Sequence, residues 1–152
     1  MTDYKKLGKA NRAAGKRFEI KTREDLEEKG WIVFRNSNNV EFVKVESING
    51  DNIAIPFGQP VARFKQSKSS WNPYFNRAMM TQSGFPDFIA IKPKAKTSNE
   101  IVFEVIFVEC KINGYLSKEE KAKVTWIKNN LFIPVSVAKR GKKRGEIEYL
   151  HQ

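Results

Sequence analysis

Apolar residues along the chain fall into a helix-spaced segment, a series of β-type runs and a second amphipathic helix. "NRAAGKRFEIKTREDLEEKG", residues 11–30, is rich in helix formers and is stopped by Gly30. "WIVFRN" follows as a short buried strand. "EFVKVESINGDNIAIPF", residues 41–57, has two strand-like halves around Asn49-Gly50, a hairpin signal. Residues 58–82 carry four basic side chains, no acidic ones, and the aromatics Phe64, Trp71, Tyr74 and Phe75. They read as a loop or partly helical flap rather than a core element. "DFIAIKP" is a strand, and "IVFEVIFVECK", residues 101–111, is the longest β-rich run and the expected central strand. "LSKEEKAKVTWIKNN" is a helix with Ser117 as its cap and Val124 and Ile127 on its inner face. "LFIPVSVAKR" and "EIEYL" are the last strands, on either side of the basic turn "KRGKKRG". This order predicts an α/β fold with a central mixed β-sheet flanked by helices. It predicts a single domain over residues 1–152, with a β-hairpin and loop inserted at about 37–82.

The chain has 152 residues, 40% of them hydrophobic, which is enough for one domain with a real core. Its 28 Lys plus Arg against 17 Asp plus Glu give a formal net charge of +11. So basic a chain is expected to meet a polyanion, nucleic acid first and an anionic membrane surface as the rival. No apolar stretch approaches the roughly 20 residues that span a bilayer, and "MTDYKKLGKANRAAGKR" has no signal-type apolar segment. Cys110 is the single cysteine, which excludes an internal disulfide and a multi-cysteine zinc site and is compatible with a reducing cytosol. The expectation is a cytoplasmic protein without a membrane partner, prokaryotic or viral in its host's cytoplasm. His151, the single histidine, is penultimate and is expected to fray. Any catalysis then falls to carboxylates, lysines or hydroxyls.

Two charges interrupt otherwise apolar strands. Asp87 stands between Pro86 and "FIAI", although an unpartnered buried charge costs several kcal/mol. Its structural reading is a turn residue after proline. In "VECK", Glu109 and Lys111 point to one face of the strand and Cys110 to the other, where it reads as a small core residue. The structural reading of Glu109 and Lys111 is a strand-end salt bridge. If the Asp87 strand pairs with the 101–111 strand, Asp87 and Glu109 project into one cleft and can bind a hard divalent cation. Mg²⁺ suits an oxygen-only site, with Mn²⁺ able to substitute. Glu19 lies next to Phe18 at the edge of the first helix's apolar stripe, whereas Glu24, Glu27 and Glu28 read as a solvated face.

Glu19, "PD" at 86–87 and "ECK" at 109–111 together resemble the PD-(D/E)xK nuclease superfamily. More closely, the chain resembles the archaeal-type Holliday junction resolvases, through Gly15, Glu19, Gly30-Trp31, "IVF" before Arg35, and Ser83 four residues ahead of Asp87. The resemblance covers residues 11–36 and 83 to about 138. It implies a restriction-endonuclease-like fold, a homodimer, and metal-assisted hydrolysis of a DNA four-way junction or other branched duplex. It also implies that Asp87, Glu109 and the backbone carbonyl of Cys110 ligate the metal, with Glu19 assisting. Lys111 would act on the nucleophilic water, and Ser83 and Arg35 would contact the scissile region. The chain departs from those resolvases in the 47 residues from Asn36 to Gln82, where they have a very short loop. "SGFPDFIAI" and "NGYLSKEEK" look like the VRR-NUC branch of the superfamily, which usually has Gln where Glu120 stands.

The basic residues fall in groups. Lys9, Arg12, Lys16 and Arg17 precede Glu19; Arg63, Lys65, Lys68 and Arg77 lie in the inserted segment; Lys139, Arg140, Lys142, Lys143 and Arg144 crowd the late turn. Each group alone reads as a solvated surface run, and together they can flank the carboxylate cleft and neutralise duplex phosphates. Trp71 and Tyr74 can stack on unpaired bases or pin the loop to the core. The sequence thus predicts a Mg²⁺-dependent DNA endonuclease, a Holliday junction resolvase first. The alternatives are a VRR-NUC-like or restriction-type nuclease acting on flaps, nicks or duplex, and a non-catalytic nucleic-acid-binding protein.

Overall fold

A computed structural model describes residues 4–42, 62–66, 69–72, 77–80, 84–96 and 100–152. In chain order its elements are α1 (Tyr4–Glu28), β1 (Ile32–Arg35), β2 (Asn38–Phe42), β3 (Ala62–Gln66), β4 (Ser69–Asn72) and β5 (Arg77–Met80). They continue with β6 (Phe88–Lys96), β7 (Ile101–Cys110), α2 (Lys118–Leu131), β8 (Val135–Arg140) and β9 (Ile147–His151). The chain divides into two compact units, Met1–Asn36 with Pro86–Gln152, and Ser37–Phe85.

The first unit is α/β, built on a five-stranded mixed sheet of order β1-β6-β7-β8-β9. Its pairs are antiparallel except β7 with β8. Parallel neighbours need a crossover, and α2 supplies it. β7 is central, as its run of Ile, Val and Phe predicts. Its β6 neighbour begins with Phe88 opposite Val108. One face of the sheet buries Val33, Phe88, Ala90, Ile106, Val108, Ala138 and Ile147 against Phe18 and Leu26 of α1. α2 buries Val124 and Ile127, and contacts β8.

Local chemistry explains the element ends. α1 starts at Tyr4 rather than residue 11, because Lys5, Lys6, Leu7, Lys9 and Ala10 are good helix formers. It stops where the sequence predicts. Gly30 takes φ +81°. Its N–H donates to the Glu27 carbonyl at 2.9 Å and the Trp31 N–H to Leu26 at 3.0 Å, the two bonds of a Schellman motif. Tyr149 of β9 tethers this end of α1, donating to Asp25 Oδ2 at 2.6 Å. α2 opens on a full capping box: Glu120 N–H donates to Ser117 Oγ at 3.2 Å, and Ser117 N–H to Glu120 Oε2 at 2.7 Å.

Three expectations are corrected. β1 is an edge strand, not a buried one; Val33 faces the core while Ile32 and Phe34 are half exposed, because only one neighbour flanks it. His151 is not frayed: it lies opposite Ser136 in the β8–β9 ladder, with Nδ1 2.9 Å from Ser136 Oγ. The segment expected as a loop or partly helical flap contains strands. In the second unit β2 pairs with β3, and β4 with β5, both antiparallel. Two of the basic residues that suggest a loop, Arg63 and Lys65, lie in β3, where Glu41 of β2 stands opposite Arg63 and accepts from Lys65 Nζ at 2.8 Å. The expected hairpin around Asn49-Gly50 lies outside the described residues. Among the described residues no helix is long and apolar enough to cross a membrane.

Candidate active site

Strand direction brings the candidate residues to one edge of the sheet. β1 ends at Arg35, opposite Phe88 at the start of β6. β7 ends at Cys110, two residues past Val108, the partner of Phe88. Extending that antiparallel register by one residue sets Asp87 opposite Glu109, and opposed residues share a face. The Asp87 segment is fixed by Asn36, a buried side chain just after β1. Its Nδ2 donates to the Pro86 carbonyl and its backbone N–H to the Asp87 carbonyl, both at 2.8 Å. Asp87 then reaches across to β7, where Oδ2 accepts from the Cys110 N–H at 2.8 Å.

Glu109 is 5% exposed. Lys111 Nζ lies 3.1 Å from its Oε1, while its Oε2 is buried without a hydrogen-bond partner among the described residues. Burial, and then the Asp87 charge, push the Glu109 carboxyl up to about 8 despite Lys111. Burial also raises Asp87, with the Cys110 N–H opposing and the Glu19 charge adding to the rise. Lys111 is gripped a second time by Glu120 of α2, with Nζ 2.6 Å from Oε1. Burial alone depresses its ammonium, but the bond to Glu120 and the Glu109 charge outweigh that and raise it. Lys111 is therefore a fixed cation at neutral pH rather than a proton acceptor.

Glu19 comes to the same edge from α1. Its Oε2 is 3.2 Å from Arg35 Nη2, and the exposed guanidinium makes this a weak pair. Arg12 and Lys16, exposed and respectively seven and three residues before Glu19, lie on its flank of the helix. Cys110 packs against the core, and burial first, then the Asp87 charge, push its thiol up, so it carries no reactive thiolate. The resemblance assigns its backbone carbonyl to the site.

The remaining expected residues are distributed as follows. Ser83 lies outside the described residues. Arg77 begins β5, with only its backbone described. Arg17, Arg140, Lys142, Lys143 and Arg144 line one cleft beside α1. Lys139 points to the opposite face of β8 and is held by Glu148 at 2.8 Å. Sequence reasoning missed Asn36 as the clamp on Asp87, and Glu120 as the second carboxylate on Lys111. Asn36 gave no signal because its partner is fifty residues away. Glu120 did give one, as the N3 acid three residues after Ser117.

Mg²⁺ or Mn²⁺ is the group the sequence implies, and the oxygen set can be tested for fit. Among the described residues no three His, Cys, Asp or Glu side chains gather into a metal-holding cluster. Two carboxylates do adjoin, both raised, and one buried oxygen has no partner. A hard cation answers each of those features, and the donors Asp87, Glu109 and the Cys110 carbonyl fit it. Searches against protein-family models, curated proteins and solved structures give no match to this chain.

Proposed function

We propose that this chain is a metal-dependent DNA endonuclease of the PD-(D/E)xK type with a restriction-endonuclease-like fold, acting in the cytoplasm as a homodimeric Holliday junction resolvase. The observation that carries the reading is the buried Glu109 Oε2, without a partner among the described residues, beside Asp87 and next to Lys111. Two apposed, buried carboxylates cost desolvation and add nothing to simple DNA binding. A nuclease needs them.

Asp87, Glu109 and the Cys110 carbonyl would hold Mg²⁺ or Mn²⁺, with Glu19 assisting from α1. When bound, the metal supplies Lewis acidity toward phosphoryl oxygen and water. The side chains divide the other tasks. Lys111, kept protonated by Glu120 and Glu109, orients the attacking water and offsets charge on the phosphoryl oxygens. Arg35, at the rim, meets the flanking phosphate, and Ser83 is assigned to the scissile region by the resemblance alone.

One observation favours a second reading. The segments "SGFPDFIAI" and "NGYLSKEEK" look like the VRR-NUC branch, which supports a nuclease of flaps, nicks or duplex DNA, while Glu120, on Lys111 where that branch usually has Gln, departs from it. One assay separates these readings: labelled four-way junction, flap and linear duplex incubated with Mg²⁺, with EDTA as the control. Junction cleavage by paired symmetric nicks, abolished by EDTA, is the expected result. Equal cutting of flap or duplex moves the assignment to the second reading. Binding without any Mg²⁺-dependent cutting leaves a non-catalytic nucleic-acid-binding protein.

A further inference from the structure

The sheet edge that carries Asp87 and Glu109 continues past them. β8 runs parallel to β7 and ends at Arg140, opposite Ile147 at the start of β9, so the intervening turn lies at the same edge. This turn and α1 form the walls of an open cleft of about 550 Å³. Arg17 and Lys21 line it from the helix, and Arg140, Lys142, Lys143 and Arg144 from the turn. Its one carboxylate, Glu146, accepts at 2.9 Å from the Lys143 backbone N–H. None of the six cations forms a salt bridge among the described residues.

The two walls meet closely. Gly145 has φ +92°, and a Cβ there would stand 2.8 Å from Lys21 Nζ, so the turn leaves room for that ammonium. Phe18, Thr22 and Leu26 form the buried stripe of α1. Glu19 lies on one flank of the stripe, and Arg17 with Lys21, four residues apart, on the other. The helix therefore separates a carboxylate site from a cationic cleft along a single edge.

We propose that this cleft is a nucleic-acid phosphate site that anchors the substrate backbone beside the carboxylates. The assignment of that nucleic acid as the cleaved substrate rests on the nuclease reading. Six cations without a salt bridge among the described residues, one of which, Lys142, is near a further carboxylate, Glu148, repel one another in a concave space and concentrate a polyanion. A concave, two-walled site suits a backbone strand better than a planar lipid surface. Adjacent strands are about 4.8 Å apart, which puts the turn roughly 5–10 Å from the end of β7. A DNA strand carries one phosphate per about 3.4 Å of rise, so the anchor engages the backbone within about three phosphates of the cut.

The test is binding of fluorescently labelled junction and duplex in EDTA, across about 50–200 mM KCl, the range over which phosphate contacts weigh most. Arg17→Gln/Lys21→Gln is compared with Lys94→Gln/Lys96→Gln, which removes two exposed charges from the far end of β6. The cleft variant should bind at least tenfold more weakly at the lowest salt. Its slope of log affinity against log salt should flatten by about 1.8, at about 0.9 per phosphate contact. The control should match wild type. If a thermal melt shows the cleft variant unfolded, Arg140→Gln/Arg144→Gln on the other wall is the deciding variant, with the same loss expected. Equal binding by cleft and control variants overturns the site, as does wild type that fails to bind DNA. Loss confined to phosphatidylserine vesicles, with DNA binding intact, also overturns it. A parallel Mg²⁺ cleavage assay keeps the two proposals distinct. Cutting by wild type with no cleft effect on binding removes the anchor alone, whereas a cleft effect without cutting removes the nuclease alone.

Discussion

Glu109 has two oxygens with opposite fates: one is held by Lys111, the other is buried with nothing among the described residues to accept from. Glu109→Gln and Asp87→Asn should each abolish Mg²⁺-dependent cleavage while leaving DNA binding intact or tighter, since each removes a ligand and a negative charge near phosphate. Near wild-type cutting by either variant would refute the site. The same buried pair gives a stability prediction. Glu109 titrates ordinarily at 4.5 and in the folded protein at about 8, and Asp87 is raised as well. The folded state therefore binds more protons than the unfolded one between those values. The Glu109 contribution to stability is fully present below about pH 4.5 and is lost as pH rises toward 8. The slope can approach 1.4 kcal/mol per pH unit, roughly one extra proton's worth. Chemical denaturation from about pH 5 to 8 should show a decline that Glu109→Gln reduces and Mg²⁺ removes. A flat profile in EDTA would contradict the buried, partnerless carboxylate.

At the scale of elements, α2 links folding to the site through one side chain. Glu120 closes the capping box with Oε2 and grips Lys111 with Oε1. Ser117→Ala should cost about 1 kcal/mol as a lost N-cap, and leave cleavage by the folded protein little changed. Glu120→Ala should lower cleavage tenfold or more in protein that still melts cooperatively, because Lys111 loses its second anchor. Glu120→Gln, which keeps a hydrogen-bonding oxygen at the same reach, should restore most of it. If Glu120→Gln is as inactive as Glu120→Ala, the charge and not the placement of Lys111 is what matters. Legibility also divides by element. The β6–β7 pair and its charges were readable because Asp87, Glu109 and Lys111 break apolar runs at strand ends, where a polar residue needs a reason. The Gly30 stop and Ser117 cap were readable because their chemistry is local. β1 was misread as buried because "WIVF" is apolar on both faces, and edge position is fixed by partners remote in sequence. β2 and β4 were obscured by the polar residues of "NNVEF" and "SSWN", and β3 by Arg63 and Lys65, whose pairing across a ladder does not appear in a single strand's pattern. Asn36 was silent for the same reason.

For the whole molecule, the proposed resolvase reading makes a demand on symmetry. A resolvase makes two symmetric nicks, which requires two sites related by a twofold axis. The first unit offers a surface for this. Ladder partners share a face, so Ile32 and Phe34 of β1, Ile89 and Ile91 of β6, and Phe103 and Val105 of β7 all lie opposite the side packed on α1. Ile32, Phe34 and Phe103 remain about half exposed, at 53%, 52% and 50%. Full burial of such a side chain is worth about 1.5–3 kcal/mol, so three from each protomer could supply a large part of a dimer's free energy. Wild type should therefore sediment as a dimer, and Ile32→Lys/Phe34→Lys as a folded monomer with an unchanged carboxylate site. That monomer should nick one strand of a four-way junction without producing the paired cut, and should lose the preference for junction over linear duplex in competition binding. A wild-type monomer that cuts flap or duplex as readily as junctions would remove the need for twofold symmetry. The carboxylate site would then serve a nuclease that meets one scissile phosphate at a time.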